Sequence, residues 1–118
     1  MILVVDDYPT VLEVAQRILN RDRQVFLASD SARALELAQS LGFSVAIVDL
    51  NMQGDGLDLI RRLHEAAPDL PIIAICGQVQ GQLPENLKAL GVVEFLNTPV
   101  TLEWKPVVER IRARRFHA

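Results

Sequence analysis

The chain has 118 residues, half of them hydrophobic, which is one domain's worth and enough to bury a core without staples. A formal net charge of -3 excludes the broad basic footprint of direct nucleic-acid binding, and one cysteine excludes an internal disulfide. No stretch approaches membrane-spanning length, and Met1–Leu3 has no basic region ahead of its short apolar run, so neither membrane insertion nor a signal peptide is expected and the default compartment is the cytoplasm.

Ile2 through Val5 is an apolar run that stops at Asp6 and Asp7, the pattern of a buried strand with carboxylates at its C-terminal end. Pro9 suits the first turn of a helix, and Val11, Ala15, Ile18 and Leu19 recur at helical spacing before the polar exit at residues 20–23. Val25–Ala28 predicts a second strand. Ser29, Asp30 and Ser31 offer N-cap oxygens to a helix with Ala34, Leu35, Ala38 and Leu41 on one face, and Gly42 is its expected stop.

Val45 through Val48 is again continuously apolar and ends in Asp49, followed by Leu50, Asn51 and Met52. Gly54, Asp55 and Gly56 open a third helix, with Leu59, Ile60, Leu63 and Ala67 inward and Pro68 ending it. Pro71–Ile75 predicts a fourth strand, and residues 76–82 a polar, glycine-bearing loop. Pro84 starts a short helix through Leu87 and Leu90 that Gly91 terminates; Val92–Leu96 predicts a fifth strand. The last helix carries Val107, Val108 and Ile111, with Pro106 tolerable only in its first turn. Trp104 fits either the core or a partner surface. The basic run from Arg110 to Arg115 complements that helix's dipole.

Strands that alternate with helices predict a five-stranded parallel sheet with helices on both faces, a doubly wound α/β fold in residues 1–118. In such a sheet ligands bind at the C-terminal strand edge, where Asp6, Asp7 and Asp49 converge. Carboxylates so close either retain protons or recruit a cation, and an all-oxygen donor set favours a hard ion such as magnesium. The competing role for each Asp, capping the helix that follows, is weaker for the three together than for any one.

These residues carry a resemblance that spans the chain. Leu3–Asp7, Ile47–Met52, Asp55–Leu59, Pro71–Ala74 and the stretch from Gly91 through Phe95 to Pro99 together resemble the receiver domain of bacterial two-component response regulators, of the chemotaxis-regulator type. The resemblance implies a flavodoxin-like fold with strand order 2-1-3-4-5 and a phosphoryl group accepted by Asp49 from a histidine kinase or phosphotransfer protein. It implies magnesium bound by Asp6, Asp7, Asp49 and the backbone carbonyl of Asn51, and a signal read by a downstream protein effector or a fused output domain. Beyond self-phosphorylation and autodephosphorylation it implies no enzymatic activity.

Three positions depart from the family pattern. Cys76 stands where Thr or Ser bonds the phosphoryl oxygen, Thr98 where a Lys pairs with the phosphoryl group, and Gln53 where a Pro follows Met; Phe95 is a conservative match at the aromatic switch position. The missing Lys removes a charge-assisted bond worth about 1.5–3 kcal/mol and the missing hydroxyl about 1 kcal/mol more, against about 5.5 kcal/mol for a full two-state switch. Cys76 is expected to be an inert, small buried residue rather than a redox-sensitive thiol at the mouth of the acidic site, where carboxylates make a thiol less reactive. His64 and His117 stand without companions and are expected on the surface.

Other classes fit less well. An aspartyl-phosphate hydrolase wants a second acid, and a corrinoid-binding domain a histidine, where this chain has Asn51. The remaining alternative is a pseudo-receiver, a protein-interaction module that works without phosphorylation. The chain reads either as a stand-alone receiver or as a piece of a larger regulator or hybrid kinase.

Overall fold

Apolar runs without alternation belong in a sheet covered on both sides, and that is how the computed structural model arranges them. It describes residues 1–19, 24–52, 56–76, 84–97 and 103–116, with side chains through 113. In chain order the elements are β1 Ile2–Val5, α1 Pro9–Leu19, β2 Val25–Ala28, α2 Ser31–Ser40, β3 Val45–Asp49, α3 Gly56–Ala66, β4 Ile72–Cys76, α4 Glu85–Lys88, β5 Val92–Asn97 and α5 Trp104–Phe116. The strands form one parallel sheet in the order β2-β1-β3-β4-β5, the flavodoxin-like order.

The period of two along each strand divides the core into two layers. Leu3, Val5, Ala46, Val48, Ile72 and Ala74 face α2, α3 and α4, meeting Ala34, Leu37, Leu59, Ile60, Leu63 and Leu87. Ile2, Val4, Val45, Ile47, Ile73 and Ile75 face α1 and α5, meeting Leu12, Ala15, Leu19, Trp104, Val108 and Ile111. Right-handed crossovers place the helices in this way.

Details of the helices refine the sequence reading. Ala15, Leu19 and Ala34 are buried as expected and Leu12 and Leu37 join them, while Val11, Ile18, Leu35, Ala38 and Leu41 are only partly buried. Asp30 caps α2, its carboxylate accepting from the Arg33 N–H at 2.7 Å. Gly42 does not end α2 as a left-handed cap: the helix closes at Leu41, whose extended backbone (φ -129, ψ 151) still donates its N–H to the Leu37 carbonyl. Gly91 does take the left-handed form, φ 86, between α4 and β5. Pro106 is the third residue of α5, so it falls in the first turn as required.

His64 lies only partly at the surface. It is half-buried, and its Nδ1 is shielded from solvent with no hydrogen-bond partner among the described residues. Trp104 is core, 2% exposed, with its indole N–H donating to the Asn97 carbonyl at 3.2 Å. The basic run on α5 makes specific contacts as well as complementing the helix dipole. Arg110 pairs with Glu94 at 2.6 Å, and Arg112 donates from Nε to the Ser44 hydroxyl at 2.8 Å. Ser44 in turn donates to the Met1 carbonyl at 3.0 Å, tying α5 to the N-terminal edge of the sheet. His117 lies outside the described residues.

Candidate functional site

Strand register alone brings two of the acids together. Val5 of β1 pairs with Val48 of β3, so the next residues, Asp6 and Asp49, stand level on adjacent strands and on the same face. Sheet hydrogen bonds hold them there: the Asp6 N–H donates to the Ala28 carbonyl at 3.1 Å and the Leu50 N–H to the Ile75 carbonyl at 3.0 Å. Asp6 and Asp49 are 1% and 7% exposed. Asp7 joins them, and one oxygen from each of Asp6, Asp7 and Asp49 lies within 4.8 Å of the others.

Backbone donors fix two of the three carboxylates. The Tyr8 N–H donates to Asp6 Oδ1 at 2.9 Å, and the Asn51 N–H donates to Asp49 Oδ1 at 2.9 Å. Burial pushes the Asp6 carboxyl up from the ordinary 3.8 to about 6, opposed by the Tyr8 N–H and reinforced by the charges of Asp49 and Asp7 and a hydrogen bond to Asp49. Asp7 Oδ1 is shielded from solvent and has no hydrogen-bond partner among the described residues. A buried carboxylate oxygen in that condition is costly unless a cation completes it. Three oxygen donors at this separation therefore fit a hard divalent ion.

The carboxylates open into a shallow pocket of about 210 Å³ lined by Asp6, Asp7, Tyr8, Val11, Asp49, Asn51 and Ile75. Among the residues expected at the site, the structure unites Asp6, Asp7, Asp49 and Asn51. Cys76 is half-buried rather than buried as expected, because it is the last residue of β4, one past the buried Ile75, and it lies outside the pocket lining. Phe95 is half-buried on β5 against the layer of α2, α3 and α4. Thr98 and Gln53 lie outside the described residues. Sequence reasoning missed the two backbone N–H donors and the pocket wall formed by Tyr8, Val11 and Ile75. The signal for the donors was available, since an Asp that ends a strand commonly accepts from the N–H two residues on.

Comparisons with known proteins agree with this geometry. The model of the response regulator receiver domain matches residues 2–104. The C4-dicarboxylate transport transcriptional regulatory protein DctD of Pseudomonas aeruginosa is 34% identical over 102 residues, covering 83% of this chain and 22% of that protein. The sensor protein EvgS of Escherichia coli is 33% identical over 104 residues, 86% of this chain and 9% of that protein. The chain thus spans less than a quarter of either relative. Among solved structures, a response regulator protein from Burkholderia pseudomallei with a phosphorylated aspartic acid, calcium ion and citrate superposes with a TM-score of 0.79 at 26% identity, covering 98% of this chain and 68% of that one. No helix among the described residues is long and apolar enough to cross a membrane. A match over residues 2–104, on a sheet of the order 2-1-3-4-5 with its acids gathered at one strand edge, makes this chain a member of the response regulator receiver domain family.

Proposed function

We propose that Asp49 is the phosphoryl acceptor of this receiver domain and that Asp6, Asp7, Asp49 and the Asn51 carbonyl hold magnesium beside it. The observation that carries the reading is the convergence of the three carboxylates within 4.8 Å, with Asp7 Oδ1 shielded and unpartnered among the described residues. The similar response regulator from Burkholderia pseudomallei, solved with a phosphorylated aspartic acid and a calcium ion, supports it. Bound magnesium supplies positive charge, without which a carboxylate would not approach an anionic phosphoryl group.

The chain's own residues do the rest. The Asn51 N–H holds one oxygen of Asp49 and so orients the carboxylate whose other oxygen attacks phosphorus. An O–P bond forms as the donor's N–P bond breaks, and the released imidazole nitrogen of a phosphohistidine takes up a proton. The Tyr8 N–H orients Asp6. The donor is a histidine kinase or phosphotransfer protein, and the signal passes by protein contact to a downstream effector or fused output domain, in the cytoplasm. Receiver domains are signalling modules, so any chemistry of its own is confined to self-phosphorylation and loss of the phosphoryl group at Asp49.

Incubation with acetyl phosphate and magnesium, followed by mass spectrometry of the intact protein and its peptides, tests this. One phosphoryl adduct on the peptide containing Asp49 is expected. Labelling that persists undiminished in Asp49→Asn would sink the assignment.

A further inference from the structure

Gly56 is the first residue of α3 and carries no side chain. Its φ is not left-handed, since Gly91 alone is so among the described residues, so backbone conformation does not call for glycine there. Space explains it. A Cβ on Gly56 would overlap the backbone carbonyl oxygens of Asp49 and Leu50 and crowd the Leu50 carbonyl carbon. These are main-chain atoms, so no rotamer change relieves the collision.

Neither side of the contact gives freely. β3 is held by β1 and β4, and the Leu50 N–H is bonded to the Ile75 carbonyl at 3.0 Å. α3 is seated by Leu59, Ile60 and Leu63, each 1% exposed or less. Between the two lies Asn51, whose N–H holds Asp49 Oδ1 at 2.9 Å, and Met52, 3% exposed in the same core layer.

We infer that Gly56 is a positioning residue for the phosphoryl site: the direct approach of α3 to the carbonyls of Asp49 and Leu50 sets the turn that aims Asn51 at the Asp49 carboxylate. The inference rests on the metal and acceptor reading of Asp49 given above. An added methyl at residue 56 must separate α3 from the end of β3, and the turn at Asn51 is stretched between them. Disturbing an outer partner that orients a metal-ligating carboxylate typically costs about 10–100-fold in metal affinity.

The test compares wild type, Gly56→Ala and Gly91→Ala, the last being a crowded glycine whose obstacle is the His64 ring rather than the strand end. Each full chain is titrated with magnesium chloride and followed by amide chemical shifts. Hydrogen exchange of the Asn51 amide is measured separately in metal-free buffer. Gly56→Ala should bind magnesium about tenfold or more weakly and exchange its Asn51 amide faster, whereas Gly91→Ala loses stability with magnesium affinity unchanged. If Gly56→Ala does not fold in plain buffer, all three proteins are compared in sucrose, which favours the compact state. Equal magnesium affinity and Asn51 protection in wild type and Gly56→Ala would overturn the inference alone. A wild type that shows no magnesium response overturns the underlying site and the inference with it.

Discussion

The imidazole of His64 on α3 packs against Gly91, with Nδ1 2.9 Å from where a Cβ on Gly91 would stand. The turn between α4 and β5 is thus specified twice, by its left-handed φ of 86 and by a ring that occupies the side-chain space. Gly91→Ala should cost about 1–2 kcal/mol through the backbone alone, and more through displacement of His64. Urea unfolding of Gly91→Ala in wild-type and His64→Ala backgrounds separates the two. The penalty should shrink when the ring is removed, and equal penalties would show that the contact carries no energy.

Asp6 makes metal-free stability depend on pH. Its folded pKa, about 6, lies above the ordinary 3.8, so the folded chain holds a proton that the unfolded chain releases. The stabilisation from that proton is fully present below 3.8 and is lost as pH rises through about 6. Melting in EDTA should therefore show wild type losing ground to Asp6→Asn across this interval, and parallel curves would refute the shift. Magnesium competes with the same proton, so its apparent affinity should weaken as pH falls below about 6.

Asp7 separates affinity from stability. Its Oδ1 has no partner among the described residues, so Asp7→Ala should leave the metal-free melting temperature unchanged or raised. Magnesium at a hundredfold excess over its dissociation constant should stabilise wild type by about 2.7 kcal/mol, and Asp7→Ala and Asp49→Ala far less. Calorimetry with and without magnesium reads both effects. Identical shifts in all three proteins would remove the metal from these carboxylates.

The departures at Cys76 and Thr98 predict a weak switch. A phosphoryl group changes conformation only through contacts it makes better in one state than in the other, and the two side chains of the family pattern that would make them are replaced. Cys76→Thr combined with Thr98→Lys should enlarge the amide shifts that beryllofluoride produces around Phe95 and Leu87–Leu90. A wild-type response already as large as that of the double mutant would make this an ordinary receiver.

The parts of the molecule legible in the sequence were those set by local pattern. β1, β3 and β4 are buried along nearly their whole length, so each reads as an unbroken apolar run, and an Asp that interrupts such a run can only stand at the strand end. That pattern is enough to place Asp6, Asp7 and Asp49 at one edge of the sheet. Features set by distant contacts stayed hidden. His64 reads as polar on a helix face until Gly91 is known to leave room beside it, and Arg112 reads as a solvated tail until Ser44 is found beneath it. Gly42 marks where α2 stops but not how, because the helix closes on the extended residue Leu41 just before it.

Trp104 has an optical consequence. It is the one tryptophan of the chain, it is packed in the layer between the sheet and α5, and its indole N–H reaches the last residue of β5. Intrinsic fluorescence excited at the indole band therefore arises from a single place, the junction where β5 hands over to α5. A seated α5 gives blue, structured emission, and lifting the helix admits water and shifts it red. The protein carries its own unlabelled gauge of α5 docking, and the same cuvette that follows magnesium or beryllofluoride binding reads whether that helix moves.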